Sequence, residues 1–127
     1  PVAIVKPTDE MKNVYQIVLD ANVRAMEQIA AGQKCSDIDA VARGYIAKQG
    51  YGAYFGHGLG HGVGLDIHEE PRFSPKCDVI TTENMVITDE PGIYLPGQFG
   101  VRIEDLVVVK ENGYRKLSQS EKQLIIL

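Results

Sequence analysis

The stretch 56–64 reads Gly-His-Gly-Leu-Gly-His-Gly-Val-Gly, with glycine at every second position. Successive side chains of an extended chain point to opposite faces, so one face of this stretch would be bare glycine. The other face would carry four side chains: His57, Leu59, His61 and Val63. His68 follows shortly after, and the chain has no histidine outside this segment. Because glycines permit close approach, a substrate or another backbone can lie directly against the stretch.

Histidine is the commonest metal ligand in proteins and the side chain best suited to proton transfer near neutral pH. The simplest interpretation of this segment is a flexible surface loop with incidental histidines. Since all three histidines of the chain cluster here, a metal-dependent active site is favoured instead. Two other glycine-rich sites are excluded, because the stretch has neither the Gly-x-Gly-x-x-Gly of a dinucleotide loop nor the Gly-Lys-Ser/Thr of a phosphate loop.

Two glutamates in strand-like, apolar segments are candidate metal ligands beside the histidines. Pro91 biases Glu90 towards an extended backbone, and in 101–109 the alternation places Glu104 on one face and Asp105 on the other. A buried carboxylate is costly unless it is paired or bound to a metal. Carboxylate and imidazole together suit Mn, Fe, Co or Zn. For Glu104 the alternative is an ordinary ion pair with Arg102 on a solvent-facing edge.

Two helices are predicted in the first half of the chain. Thr8 is the expected N-cap of the first, whose apolar spacing runs from Met11 to Ile29 and which Gly32 closes. The second is expected to begin at Ser36 and to stop at Gly50.

The remaining elements are predicted to be strands. They are expected at Pro1–Val5, at Met85–Tyr94 with a break at Pro91-Gly92, at Val101–Lys110 and, after a turn at 111–113, at Tyr114–Leu117. Two helices covering a largely antiparallel sheet indicate an α+β domain.

Composition limits the possible partners and the compartment. The net charge is -4 and no basic cluster occurs, so nucleic acid and anionic membranes are not expected partners. No apolar run reaches membrane-spanning length. The two cysteines, Cys35 and Cys77, lie far apart in sequence, which favours two thiols in a reducing cytoplasm over a disulfide.

Three motifs in order resemble those of one family, the Xaa-Pro aminopeptidases and Xaa-Pro dipeptidases (prolidases) of metallopeptidase family M24. They are His-Gly-Leu-Gly-His-Gly-Val-Gly-Leu-Asp-Ile-His-Glu at 57–69, Thr-Asp-Glu-Pro-Gly-Ile-Tyr at 88–94 and Val-Arg-Ile-Glu-Asp at 101–105. The two predicted helices precede the motifs as in that family, so the resemblance covers essentially the whole chain. It implies the "pita-bread" fold.

The resemblance also implies a mechanism and a substrate class. The family cleaves peptides that have proline in second position, with two divalent metal ions that are usually manganese and sometimes cobalt or zinc. It implies that His61 and Glu90 bind one metal, that Glu104 bridges both, and that His57 and His68 line the substrate pocket. Glu90 would also shuttle the proton, and Arg102 would orient a metal-binding carboxylate. Family members are often dimers.

One departure from the family pattern concerns two further ligands. The family supplies a pair of aspartates on strands upstream of the first helix, and residues 1–8 contain no acidic side chain. Residues 1–127 are therefore expected to be the C-terminal half of a pita-bread catalytic domain, with an incomplete metal site. We expect the 127-residue chain alone to be inactive; cleavage of an Xaa-Pro peptide by it would contradict this.

Two alternatives share the fold. A methionine aminopeptidase is compatible with 60–64 and 68–71, but His57 and the motif at 102–105 favour the proline-specific branch. A metal-free pita-bread relative that serves as a binding module is the other; such relatives typically lose ligand residues, whereas the three expected in this half are present.

Overall fold

The computed structural model describes residues 8–63, 72–117 and 121–125, the last of these for the backbone only. The strand predicted at Pro1–Val5 and the candidate residue His68 lie outside the described residues. Neither helix in the described part of the chain is long and apolar enough to cross a membrane.

The first helix, α1 (Asp9–Met26), begins where the sequence predicts. The Thr8 hydroxyl accepts a hydrogen bond from the backbone N–H of Met11 at 3.1 Å, and two acidic residues occupy the positive first turn. The helix ends earlier than the apolar spacing suggested, because Ile29 lies in a turn that follows it. Gly32 ends that turn with φ +88°, a conformation that favours glycine.

The second helix, α2 (Cys35–Lys48), starts one residue before the predicted Ser36, with Lys34 as an N-cap that makes no side-chain capping bond. It ends before Gly50, whose φ is +94°. Its buried face, which includes Ile38 and Ile46, joins the core beside α1. A 3₁₀ turn (Gly52–Tyr54) then leads into the glycine-rich loop.

The sheet is organised around one long strand. Two short strands, β1 (Gly60–His61) and β2 (Arg72–Phe73), pair with each other. The main sheet contains β3 (Val86–Asp89), β4 (Gly92–Leu95), β5 (Phe99–Lys110), β6 (Gly113–Lys116) and β7 (Glu121–Ile125). Each of the other four pairs antiparallel with β5. The break between β3 and β4 lies at Glu90-Pro91, one residue earlier than the predicted Pro91-Gly92, because Gly92 already pairs with Arg102 in β4.

The alternation predicted for 101–109 is confirmed in β5. One face is fully buried against the helices and carries Val101, Ile103, Asp105, Val107 and Val109. The other face, with Arg102 and Glu104, is half-buried. The predicted α+β arrangement, two helices packed on an antiparallel sheet, is therefore present in the described residues.

The glycine loop approaches β3 so closely that one glycine has no room for a side chain. A Cβ on Gly60 would overlap the backbone carbonyl of Thr88. Backbone atoms cannot move aside as the end of a flexible side chain can, so this position needs glycine for space and not for its dihedral freedom.

We expect Gly60→Ala to lower the free energy of unfolding by about 1–3 kcal/mol, because overlap in a well-packed region forces the backbone apart. The control is Gly44→Ala in α2, where an added Cβ meets nothing within 4 Å. That change should stabilise by about 0.5–1 kcal/mol through helix propensity. Urea unfolding of both variants measures the difference; a Gly60→Ala variant as stable as the wild type would contradict the close approach.

Two carboxylates are buried opposite each other behind the loop. Asp89 on β3 and Asp105 on β5 are directly paired in register, and both are at most 1% exposed. The side-chain amide of Asn22 donates to Asp89 Oδ2 at 3.3 Å, and Lys116 Nζ lies 3.3 Å from Asp105 Oδ1. Burial, then the charge of Asp105, then that of Glu90 raise the pKa of Asp89 well above its ordinary value.

This raised pKa sets the sign of a pH dependence. The unfolded chain releases the proton of Asp89 at an ordinary carboxyl pKa, whereas the folded chain keeps it to higher pH. The folded state therefore binds more protons above that ordinary pKa, and stability falls as the pH rises.

Asp89→Asn keeps the side-chain shape without a charge, so its stability advantage over the wild type should be small near about pH 4 and larger near about pH 7. Thermal unfolding across this range, in the presence of a chelator, tests it. The control is Asp78→Asn, which removes an 83% exposed carboxylate. Parallel stability profiles for the wild type and Asp89→Asn would contradict the shifted pKa.

Candidate active site

The glycine loop lies antiparallel along β3 and is held there by backbone hydrogen bonds. Glu90 N–H donates to the Leu59 carbonyl at 2.7 Å, and Val63 N–H donates to the Val86 carbonyl at 2.8 Å. Between them, His61 N–H donates to the hydroxyl of Thr88 at 3.0 Å. This register is what brings an imidazole of the loop beside the carboxylate that follows β3.

The predicted shared face of the loop is only partly present. Within 56–63 the chain is a regular strand only at Gly60–His61. His57 and His61 line one cavity, whereas Leu59 is fully buried in the hydrophobic core and Val63 is exposed. The prediction that Leu59 accompanies the histidines was wrong, because the loop turns between 57 and 60 and the apolar side chain packs inward.

His61 and Glu90 are the pair of predicted ligands that the structure brings together. His61 Nε2 lies 3.6 Å from Glu90 Oε2. The other ring nitrogen, Nδ1, lies 3.0 Å from the Gly62 carbonyl. A carbonyl can only accept, so Nδ1 carries the proton of the neutral ring and Nε2 presents a lone pair. A second nitrogen held by a backbone carbonyl is the usual setting of a metal-binding histidine.

The buried oxygen of Glu90 also fits a cation. Glu90 Oε2 is inaccessible to solvent and accepts no hydrogen bond from any described residue. A buried carboxylate oxygen without such a donor is unfavourable unless a cation approaches it. An imidazole nitrogen and a carboxylate oxygen are donors that Mn, Co and Zn accept, so these two residues fit the divalent metal that the sequence implies.

For Glu104 and His68, the other two predicted site residues, the structure gives less information. Among the described residues, no group of three or more His, Cys, Asp or Glu side chains converges closely enough to hold a metal ion. Glu104 lies on the half-buried face of β5, two residues from Arg102, and its charge reaches the Tyr94 hydroxyl on β4. His68 falls outside the described range, so its predicted role stays a prediction.

His57 has a different environment from His61. Its Nδ1 lies 2.7 Å from the Gly58 carbonyl, so Nδ1 again carries the proton of the neutral ring. Its Nε2 lies 3.0 Å from the Tyr94 hydroxyl, and the two ring centroids are 5.5 Å apart. Nε2 therefore accepts a hydrogen bond from the Tyr94 hydroxyl. His57 lines the cavity with its ring held by other residues of the protein, apart from the His61–Glu90 pair.

Tyr94 is a site residue to which sequence reasoning assigned no role. Burial raises the pKa of its hydroxyl, and Arg102, through its charge and a hydrogen bond, opposes that rise. The Tyr94 side chain lies against Gly92 and Gly100: an added Cβ would come within 2.6 Å of its hydroxyl oxygen at Gly92 and within 2.8 Å of a ring carbon at Gly100. The sequence signal that could have identified Tyr94 is a glycine opposite an aromatic residue in a hairpin, because Gly100 pairs with Tyr94.

The cavity itself has a volume of about 390 Å³, within the usual range for small-molecule sites. Arg72 and Arg102 both line it, and Arg72 was missed because nothing in the sequence connects β2 to the loop. Among the described residues, the lining is His57, Gly58, Gly60, His61, Arg72, Ser74, Glu90 and Arg102. In the described part of the lining, two guanidinium groups and one carboxylate suit a ligand with an anionic group.

Tyr94→Phe should lower the free energy of unfolding by about 0.5–1.5 kcal/mol, because it removes the donor to His57 Nε2. Urea unfolding measures the change. The control is Tyr54→Phe, which alters a 41% exposed tyrosine outside the cavity and should change stability by less than about 0.5 kcal/mol. Equal effects of the two substitutions would contradict the Tyr94–His57 hydrogen bond.

Comparison with known proteins gives consistent matches. The sequence pattern of "Metallopeptidase family M24" matches residues 2–111. The Xaa-Pro dipeptidase of Pyrococcus horikoshii is 45% identical over 124 residues, which cover 98% of this chain and 35% of that protein. Among solved structures, the X-Pro aminopeptidase from Thermotoga maritima superimposes with a TM-score of 0.90 at 48% identity, over 96% of this chain and 35% of that one.

The prolidase from Pyrococcus furiosus superimposes equally well, with a TM-score of 0.91 at 47% identity, over 94% of this chain and 36% of that one. These likenesses confirm the predicted fold, the C-terminal part of a pita-bread domain with two helices on an antiparallel sheet. The chain spans about a third of the length of the relatives it matches.

Proposed function

This chain belongs to metallopeptidase family M24, and on that premise we propose that it is part of an enzyme that hydrolyses the bond between an N-terminal residue and proline. The observation that carries the proposal is the His61–Glu90 pair. One histidine nitrogen is tied to a backbone carbonyl, and the other faces a buried carboxylate oxygen at 3.6 Å. Relatives at 45–46% identity are named Xaa-Pro dipeptidases, which supports the substrate class.

We assign His61, Glu90 and Glu104 as ligands of two divalent metal ions, with manganese as the expected metal and cobalt or zinc as alternatives. Such ions, when bound, lower the pKa of a water molecule and polarise the scissile carbonyl. His61 contributes the Nε2 lone pair, and Glu90 contributes the oxygen that no described residue hydrogen-bonds. Glu104 lies on β5, on the half-buried face that also carries Arg102, and is assigned as a ligand from the motif.

The other residues of the cavity act on the substrate and on protons. Glu90 is suited to hold the proton that a water molecule gives up and to pass it to the leaving nitrogen. His57, fixed by the Gly58 carbonyl and the Tyr94 hydroxyl, forms a polar wall against which the tetrahedral intermediate is stabilised. His68 is assigned to the same wall on the strength of the motif alone.

Two arginines in the cavity, Arg72 and Arg102, favour short peptides as substrates. A dipeptide places its terminal carboxylate only a few bonds from the scissile carbonyl, and guanidinium groups bind carboxylates strongly. Both arginines line the cavity that also holds His61 and Glu90. We therefore expect Xaa-Pro dipeptides to be preferred over longer peptides.

Catalysis is proposed to require more than residues 1–127. These residues correspond to about a third of the relatives' length, and residues 1–8 contain no acidic side chain. Hence residues 1–127 are interpreted as part of one catalytic domain that is inactive by itself. We also propose that the protein is cytoplasmic, because its two cysteines suit a reducing compartment. A homodimer is proposed from the family resemblance.

Removal of metal from the intact protein that carries this chain should abolish cleavage of Xaa-Pro dipeptides, and added Mn²⁺, Co²⁺ or Zn²⁺ should restore it. Glu90→Gln should lower kcat by at least about 10²-fold, because it removes both a ligand and the proton carrier. Glu83→Gln, on the exposed turn before β3, is the matched control and should leave kcat unchanged.

The alternatives predict different results. Cleavage of Met-Ala peptides in preference to Xaa-Pro peptides would identify a methionine aminopeptidase. Activity or peptide binding that persists unchanged in chelator, with no metal in elemental analysis, would contradict the metallopeptidase assignment and favour a metal-free binding module.

A further inference from the structure

An ion pair on α2, in which the carboxylate is buried and the arginine partly exposed, contacts the glycine loop. Asp39 is 1% exposed, and Arg43, one helical turn later, donates to both of its carboxylate oxygens, from Nε at 2.8 Å and from a terminal nitrogen at 3.1 Å. This is the two-pronged geometry that only a guanidinium provides. Neither residue lines the cavity with the histidines.

Arg43 also holds the loop backbone. One terminal nitrogen donates to the Phe55 carbonyl at 3.0 Å, and the other donates to the His57 carbonyl at 2.8 Å. The guanidinium carbon lies 4.3 Å from the centre of the Phe55 ring, and that ring meets the His57 imidazole edge-on at 5.0 Å. The arginine therefore fixes the backbone before and at the histidine, and supports its ring through Phe55.

Asp39 continues the same contact one step further along the loop. Its Oδ1 accepts the backbone N–H of Leu59 at 3.0 Å. The carbonyl of that same residue accepts the N–H of Glu90 at 2.7 Å. Leu59 thus connects the buried carboxylate on α2, through its N–H, to the backbone of the proposed metal ligand, through its carbonyl.

We propose that Asp39 and Arg43 are positioning residues of the active site, which clamp backbone groups at 55, 57 and 59 and thereby set His57 and Glu90. The part of this inference that concerns catalysis rests on the proposed function. The loop needs such a clamp, because Gly56, Gly58 and Gly60 alternate with the clamped residues and glycine loses more conformational freedom on ordering than any other residue.

An ordinary helix-stabilising ion pair does not account for this arrangement. Pairs at this spacing on a helix surface contribute about 0.3–0.5 kcal/mol and keep both side chains in water. Here the carboxylate is buried, and the pair makes three bonds to backbone groups of another segment. Arg43 donates two of these bonds from one planar group that also holds Asp39, which a lysine at position 43 cannot reproduce.

The test compares Arg43→Lys and Asp39→Asn with the control Asp37→Asn, which removes an exposed carboxylate from the first turn of the same helix. Hydrogen–deuterium exchange of the intact protein, followed by mass spectrometry, reports on peptides that cover 55–62 and 88–93. Both clamp variants should exchange at least tenfold faster in these two segments, with α1 and β5 unchanged. The control should match the wild type throughout.

Exchange that rises uniformly over the chain would show a purely structural role and overturn the proposal, and so would unchanged exchange at 55–62. Because exchange needs no substrate, this result stands whether or not the protein cleaves Xaa-Pro bonds. If the wild type does cleave them, Arg43→Lys should lower kcat by about 10–100-fold with a smaller change in KM. An unchanged kcat with faster loop exchange would refute the catalytic part of the proposal.

Discussion

The close approach of the glycine loop to β3 is the contact on which the rest of the site depends. Gly60 lies against the Thr88 carbonyl with no room for a Cβ, and the Glu90 N–H donates to the Leu59 carbonyl. Any larger residue at 60 would move the loop away from the strand, and with it the imidazole of His61. Glycine at position 60 is therefore required by packing, whatever its part in catalysis.

A second constraint concerns Asp89 and Glu90, which are adjacent in sequence but have side chains on opposite sides of the sheet. Glu90 faces the cavity, while Asp89 is buried towards Asn22 on α1 and Asp105 on β5. The two carboxylates have different environments. A histidine nitrogen lies beside Glu90, whereas burial raises the pKa of Asp89. The two-residue period of an extended chain thus separates the proposed metal ligand from a carboxylate held in the core.

Local patterns predicted much of this fold, and tertiary contacts account for the rest. The alternation in β5, the Thr8 cap and the break at Pro91 are each decided by neighbouring residues. The inward turn of Leu59 and the place of Arg72 depend on segments distant in sequence, which no local period encodes. The pairing of His61 with Glu90 was predictable only through the family resemblance, and the roles of Tyr94, Asp39 and Arg43 required coordinates.

The Gly62 carbonyl fixes the protonated nitrogen of His61, which leaves Nε2 for the proposed metal. Nitrogen–proton correlation spectra of the imidazole rings measure this directly. Neutral His61 is expected to carry its proton on Nδ1 and to donate it to the Gly62 carbonyl. Added Zn²⁺ is expected to shift the Nε2 signal of His61, while His57 Nε2 stays hydrogen-bonded to Tyr94. A proton on Nε2 of neutral His61, or a zinc-induced shift at His57 instead, would contradict it.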